Sequence, residues 1–289
     1  MTGQRLDAAW RSTVAGLALL AFLPLAGTLA KAADTAETAW PKSVSTTYRL
    51  YFNSFEVGSF AFRSESKGKT YKAESKADVS ALFGAFKWNG NISASGKLEP
   101  GGPQPSSYAM TFRTKSKQGR VRLGFDKAGV KTVTVEPKKD WVSPEIVPIK
   151  DEHKKSVFDP MSAILAMTHA GSGDPCAKTV PVFDGKARFN LIMSYKGKQK
   201  LEEKTPSGQP KDLVVCRVKY EPIAGHKPKD FVKPWVDYDG IEIALRPVPS
   251  ANVYIPYNIT VPTSLGAAVM SAERVDIAPE GKPVIALTR

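Results

Sequence analysis

Few residues in this sequence have the types and spacings that chemistry requires. Asp237 and Asp239 flank Tyr238, and side chains two apart on a strand share a face. The pair could supply the acid and base of a hydrolase or glycan-processing enzyme. Asp151 and Glu152 are the other clustered carboxylates. Both pairs also have simpler readings. Asp237 and Asp239 precede Gly240, as turn residues do, and Asp151 and Glu152 lie in a charged, proline-rich stretch that reads as a surface loop. Asp184 stands in VFDGKARFNL, residues 182–191. Asp184 and Gly185 form the residue pair that a tight hairpin turn selects, because glycine tolerates positive φ and aspartate can bond the local backbone. A catalytic role for Asp184 would need a partner acid, base or metal ligand, and no such constellation adjoins it. Asp159, in FDPMSAILAM, reads as a helix cap.

The common catalytic signatures G-x-S-x-G, G-x-x-x-x-G-K, H-E-x-x-H and G-x-G-x-x-G are absent. His153, His169 and His226 fall at no metal-ligand interval. No cofactor or metal is therefore expected, and the chain reads as non-catalytic. The only two cysteines are Cys176 and Cys216. An even number without C-x-x-C spacing, in an exported chain, reads as one structural disulfide. Closing a loop of that length contributes about 3–4 kcal/mol in the chain-entropy model.

The surrounding pattern is mainly β. Tyr48, Leu50 and Phe52 alternate, then Phe60 and Phe62 after a turn expected around Val57 and Gly58; Tyr108, Met110 and Phe112 alternate, as do Val121, Leu123 and Phe125. Period two marks half-buried strands. Residues 82–88, with Leu82, Phe83, Phe86 and Trp88, fit a short helix, a bulged strand or an exposed apolar lip. A long loop is expected over 136–158. One helix follows over 160–170, with Pro160 at its first position and Gly171 at its end. Strands resume from 179 to 277. The fold class expected is a strongly curved antiparallel sheet or open β-barrel with one helix packed against it, in a single β-rich domain over 46–278, with a lead at 33–45 and a tail at 279–289.

Residues 12–30 are almost unbroken in their apolar character and end near Ala30-Lys31-Ala32, after a weakly basic start with Arg5 and Arg11. This is the layout of a secretory signal peptide over 1–32, cleaved near Ala32. No Arg-Arg pair precedes the apolar run, so the general secretory route and a periplasmic location are expected, with no transmembrane segment in the mature chain. The formal charge of +13 falls to +11 when Arg5, Arg11, Lys31 and Asp7 leave with the leader. Export argues against nucleic acid as the physiological partner of that charge. The anions met outside the cytoplasm are lipid phosphates, lipopolysaccharide and acidic glycans.

The order of segments carries a resemblance. YRLYFNSFEVGSFAFR, FDPMSAILAM, VFDGKARFNL, VVCRVKYEPIAG and VYIPYNITVPTSLGAAVMSAERV follow one another after the leader. Together they resemble the exported bacterial family catalogued as domain of unknown function 3108, over roughly 46–277. The resemblance implies a periplasmic, β-rich protein without an assigned activity. A looser likeness of architecture, to the half-barrels of lipoprotein carriers, implies an apolar concave face; fold alone does not fix function.

The expected function is non-catalytic envelope maintenance by binding an amphiphile or another anionic envelope component, a lipid or lipopolysaccharide among them. Leu82, Phe83, Phe86, Met161, Leu165 and Met167 would line a cavity, or else fill an ordinary core. Arg113, Lys115, Lys117, Arg120 and Arg122, with Lys227, Lys229 and Lys233, would meet an anionic head group. A structural module that binds another envelope protein is the second expectation, and an enzyme built on the paired carboxylates the third.

Overall fold

The computed structural model describes residues 40–81, 84–138, 143–171, 173–201, 209–227 and 240–288. The expected leader, Leu82, Phe83, Lys229, Lys233, Asp237 and Asp239 lie outside them. The first half of the chain is a seven-strand meander: β1 (Ser43–Phe52), β2 (Phe55–Lys67), β3 (Thr70–Ala81), β4 (Phe86–Glu99), β5 (Gly102–Thr114), β6 (Gln118–Asp126) and β7 (Gly129–Glu136). Strict alternation explains why these segments form strands. In β3, Tyr71, Ala73, Ser75 and Ala77 are buried while the residues between them face solvent.

The second half contributes β8 (Thr179–Phe183), β9 (Arg188–Lys200), β10 (Asp212–Ala224), β11 (Ile241–Val248), β12 (Val253–Thr263), β13 (Gly266–Ala278) and β14 (Ile285–Thr288). The last of these lies in the segment expected to be a tail and pairs with β13 through Ile277 and Ile285. All fourteen strands join one antiparallel sheet, in which β13 pairs with β1 to unite the two halves. Its two ends are β7 and β8, and they do not pair with each other. Strand twist accumulates across a sheet this wide, so it curls.

The curl brings the ends close enough for one short segment to link them. Lys155 forms a bridge with Gly129 at the start of β7, and Phe158 bridges Val182 of β8. The Phe158 amide donates to the Pro181 carbonyl at 2.9 Å, and the Phe183 amide donates to the Phe158 carbonyl at 2.9 Å. Residues 155–158, inside the expected long loop, therefore fasten the two edges of an open sheet.

The helix α1 (Pro160–Thr168) follows immediately. It ends two residues short of the expected boundary, because His169 is extended and bridges Val253 of β12. Helix α1 touches strands from both halves, including β3, β4, β5, β8 and β12. Met161 and Leu165 pack with Tyr71, Tyr108, Val121 and Phe183. Ala163 and Met167 pack on the other side with Val180, Met193, Val218 and the Cys176–Cys216 disulfide, whose Cα atoms are 5.3 Å apart. A helix apolar on more than one side is one that is enclosed. Among the described residues, no helix is long and apolar enough to cross a membrane.

Two turns show how close approaches select glycine. The first hairpin turns at Asn53 and Ser54, both at positive φ, rather than around Gly58. Gly58 lies inside β2, where a β-carbon would sit 2.0 Å from the Asp78 carbonyl oxygen. At the β8–β9 turn, Asp184 Oδ1 accepts the Lys186 and Ala187 amides at 2.8 and 2.7 Å. Gly185 has φ +94, and a β-carbon on it would lie 2.5 Å from Val121 Cγ1. The tip of that hairpin thus rests on β6, across the gap between the sheet's ends. Gly185→Ala should lower stability by about 2–3 kcal/mol in urea unfolding. In a double-mutant cycle, Gly185→Ala should cost less stability in a Val121→Ala background than in the wild-type chain if contact with β6 is its source; equal costs would contradict the contact.

Candidate functional site

The chemistry of the interior begins at the two ends of α1. Asp159, fully buried, caps the first turn: its Oδ1 accepts the Met161 and Ser162 amides at 2.9 and 3.0 Å, and its Oδ2 accepts the Ser162 hydroxyl. The Ser162 Oγ lies 2.5 Å from the Tyr71 hydroxyl. Burial pushes the Asp159 carboxyl up, and the hydrogen bonds from Ser162 and Met161 oppose that rise. Burial, followed by the nearby Asp159 charge, pushes the phenols of Tyr71 and Tyr108 above the usual tyrosine range.

Serine, aspartate and tyrosine in contact could be read as a catalytic cluster. The geometry argues otherwise. Both Asp159 oxygens are committed to the helix start, and of the three only Tyr71 lines the cavity described below. The cluster positions α1.

At the other end, Lys178 Nζ donates to the Ala166, Met167 and His169 carbonyls at 3.1, 3.1 and 2.9 Å. An ammonium here satisfies carbonyls that the helix leaves open and suits the negative end of its dipole. Burial lowers the Lys178 pKa. The His169 ring stacks on Trp40 with centroids 4.0 Å apart. Burial, then repulsion from Lys178, lowers the His169 pKa to about 4.

Between α1 and the sheet lies a cavity of about 80 Å³. Ile164, Leu165 and Thr168 form its helix side. Thr46 and Tyr48 of β1, Phe60 and Phe62 of β2, Ile255 and Ile259 of β12 and Met270 of β13 form the sheet side, with Trp40 at its edge. The lining is almost wholly apolar. In the register, Met270 stands opposite both Leu50 and Ile259, Leu50 opposite Gly58, Gly58 opposite Val79 and Val79 opposite Trp88. Residues directly opposite one another project from the same face. The apolar surface of the cavity therefore continues as a row across the sheet, and its members are only half-buried.

The residues expected to build a site separate into groups. Leu165 lines the cavity, whereas Met161 and Met167 are buried in the core on opposite sides of α1. Phe86 is at the β3–β4 hairpin, 48% exposed. Arg113, Arg120 and Arg122 alternate with the inward Phe112, Val121 and Leu123, which places all three on the outer face, away from the cavity. Arg120 is paired with Glu136. Lys115 and Lys117 are exposed in the turn between β5 and β6. Lys227 pairs with Glu145 at 3.4 Å. Asp151 and Glu152 sit on a 3-10 turn, with Asp151 bonded to Lys154 at 2.9 Å and Glu152 3.7 Å from Lys150, and neither lines this cavity. Among the described residues no group of three His, Cys, Asp or Glu side chains could hold a metal ion. Sequence reasoning missed Lys178 and Trp40, whose partners lie in other elements.

Fold and cavity together define a single-sheet antiparallel β protein with an enclosed helix and an apolar pocket between that helix and the sheet. The chain belongs to the family described as Protein of unknown function (DUF3108), which it matches over residues 47–273. No curated protein and no solved structure matches the chain.

The lowered pKa of His169 has a pH consequence. A histidine depressed below its unfolded value of about 6.5 contributes stability above that pH, and the contribution is lost as the pH falls toward the folded value. In an NMR titration the His169 ring should stay neutral down to about pH 4. His169→Phe should remove part of the stability difference between pH 7 and pH 5. An unshifted titration near 6.5 would show that the stacked ring is open to water.

Proposed function

We propose that this protein is a non-catalytic binder of an amphiphile, exported to the periplasm, whose ligand places an alkyl chain in the cavity between α1 and the sheet. The observation that carries the reading is the cavity itself. A single water needs roughly 10–15 Å³, and this space of about 80 Å³ is several times larger while offering water few partners. Interiors are normally close-packed. Left unfilled, this apolar space forgoes the close contacts that its lining would make with a bound group. An alkyl chain would recover that loss and displace no bound charge.

The half-buried row from Met270 to Trp88 supports the same reading, since it gives the rest of an amphiphile an apolar path out of the cavity. Enzyme chemistry has less support. The described carboxylate pair, Asp151 and Glu152, is on the surface, and the buried Asp159 is occupied as a cap.

Native mass spectrometry of the exported protein, followed by organic extraction, tests the proposal. A stoichiometric alkyl-bearing adduct should be present or should form on adding a fatty acid or lysophospholipid. Met270→Trp, which fills the sheet side of the cavity, should weaken that binding at least tenfold while the melting temperature stays within a few degrees. An apo mass that no added amphiphile shifts, or an adduct indifferent to Met270→Trp, would overturn it.

A further inference from the structure

The hairpins at one end of the sheet share an unusual surface. Asn53, in the β1–β2 turn, donates from its side chain to the Leu265 carbonyl at 2.9 Å and accepts the Ala267 amide at 3.0 Å, which joins this turn to the β12–β13 turn. On the other side, Gly58 pairs with Val79 and Ala81 with Phe86, so the β3–β4 hairpin ends beside the start of β2. Trp88 pairs with Thr114, which sets the β5–β6 turn next in line. Four consecutive hairpin tips therefore form one edge.

Three of these tips carry a large apolar side chain in water: Leu265 is 78% exposed, Phe55 76% and Phe86 48%. Bulky apolar groups this exposed at loop tips leave much of their surface in water. Their clustering on adjacent turns is the mark of an interaction surface. The same edge is cationic. Lys87 adjoins Phe86, Arg113 and the turn residues Lys115 and Lys117 follow, and all four are exposed. None of the four is paired with a carboxylate among the described residues. The acids of this edge are already paired, Glu56 with Arg49 at 2.9 Å and Asp78 with Lys76 at 3.3 Å.

We infer that this edge docks on the surface of an anionic phospholipid bilayer. Leu265, Phe55 and Phe86 enter the interface, and Lys87, Arg113, Lys115 and Lys117 meet the phosphates. Charge decides between the two kinds of apolar partner. A protein partner needs a shaped, continuous apolar patch with few charges at its centre, whereas these are separate protruding tips bordered by exposed cations, an arrangement that a fluid anionic surface accommodates. The inference does not depend on what fills the cavity.

Site-specific labelling tests it. Both cysteines are in the disulfide, so a single cysteine can be introduced at Leu265→Cys, or at Val284→Cys near the opposite end, and labelled with an environment-sensitive fluorophore. Vesicles containing phosphatidylglycerol should blue-shift the Leu265→Cys label and leave the Val284→Cys label unchanged; phosphatidylcholine vesicles should give at least tenfold weaker binding. Phe55→Ser with Phe86→Ser, and separately Lys87→Glu with Lys115→Glu and Lys117→Glu, should each weaken binding to the anionic vesicles about tenfold or more. Met270→Trp should leave it intact, so failure here is distinct from failure of the amphiphile reading. Equal shifts at both labels, no shift at either, or equal binding to neutral vesicles would overturn the inference.

Discussion

Everything in this fold depends on holding one short helix inside a sheet that does not close on itself. A sheet with this many strands curls and leaves a concave apolar face that must be covered. Helix α1 covers part of that face while touching strands from both halves. Enclosing a helix deprives its end groups of water, and buried backbone polar groups must find partners. Asp159 supplies them at the start, and Lys178 reaches three carbonyls at the end. The tether on either side of α1 is equally local. Residues 155–158 fasten β7 to β8 just before it, and the disulfide ties its exit to β10 just after.

The cavity follows from this arrangement. Met161 and Leu165 fill the space toward β3–β6, and Ala163 and Met167 fill the space toward β8–β11. The third direction, toward β1, β2, β12 and β13, is met by Ile164, Leu165 and Thr168, which leave a gap. Binding of an amphiphile is thus proposed at the one side of α1 where the sheet and helix do not interdigitate, while the polar groups that might otherwise suggest catalysis are accounted for by helix ends and turns.

Much of this was legible because its signals are local. Alternation in β1, β3, β5 and β6 marks strands whatever their neighbours, Asp159 before Pro160 marks a helix start, and Asp184 with Gly185 marks a turn. The parity of Arg113, Arg120 and Arg122 against Phe112, Val121 and Leu123 was also in the sequence, and it places those cations outside rather than at a cavity mouth. Lys178 was not legible. It caps carbonyls 9 to 12 residues earlier in the chain, through a fold that no periodicity encodes. The fastening by residues 155–158 was hidden for a related reason, since a segment that makes two bridges to two different strands has neither a strand's length nor its alternation.

Paramagnetic relaxation by a spin-labelled fatty acid, read on the methyl groups of the protein by NMR, tests the central claim most directly. With the nitroxide near the chain end, broadening should concentrate on methyl-bearing residues of the cavity lining, among them Ile164, Leu165, Ile255, Ile259 and Met270. Broadening confined to Leu265 and other surface methyls, with those five unaffected, would contradict a ligand held between α1 and the sheet.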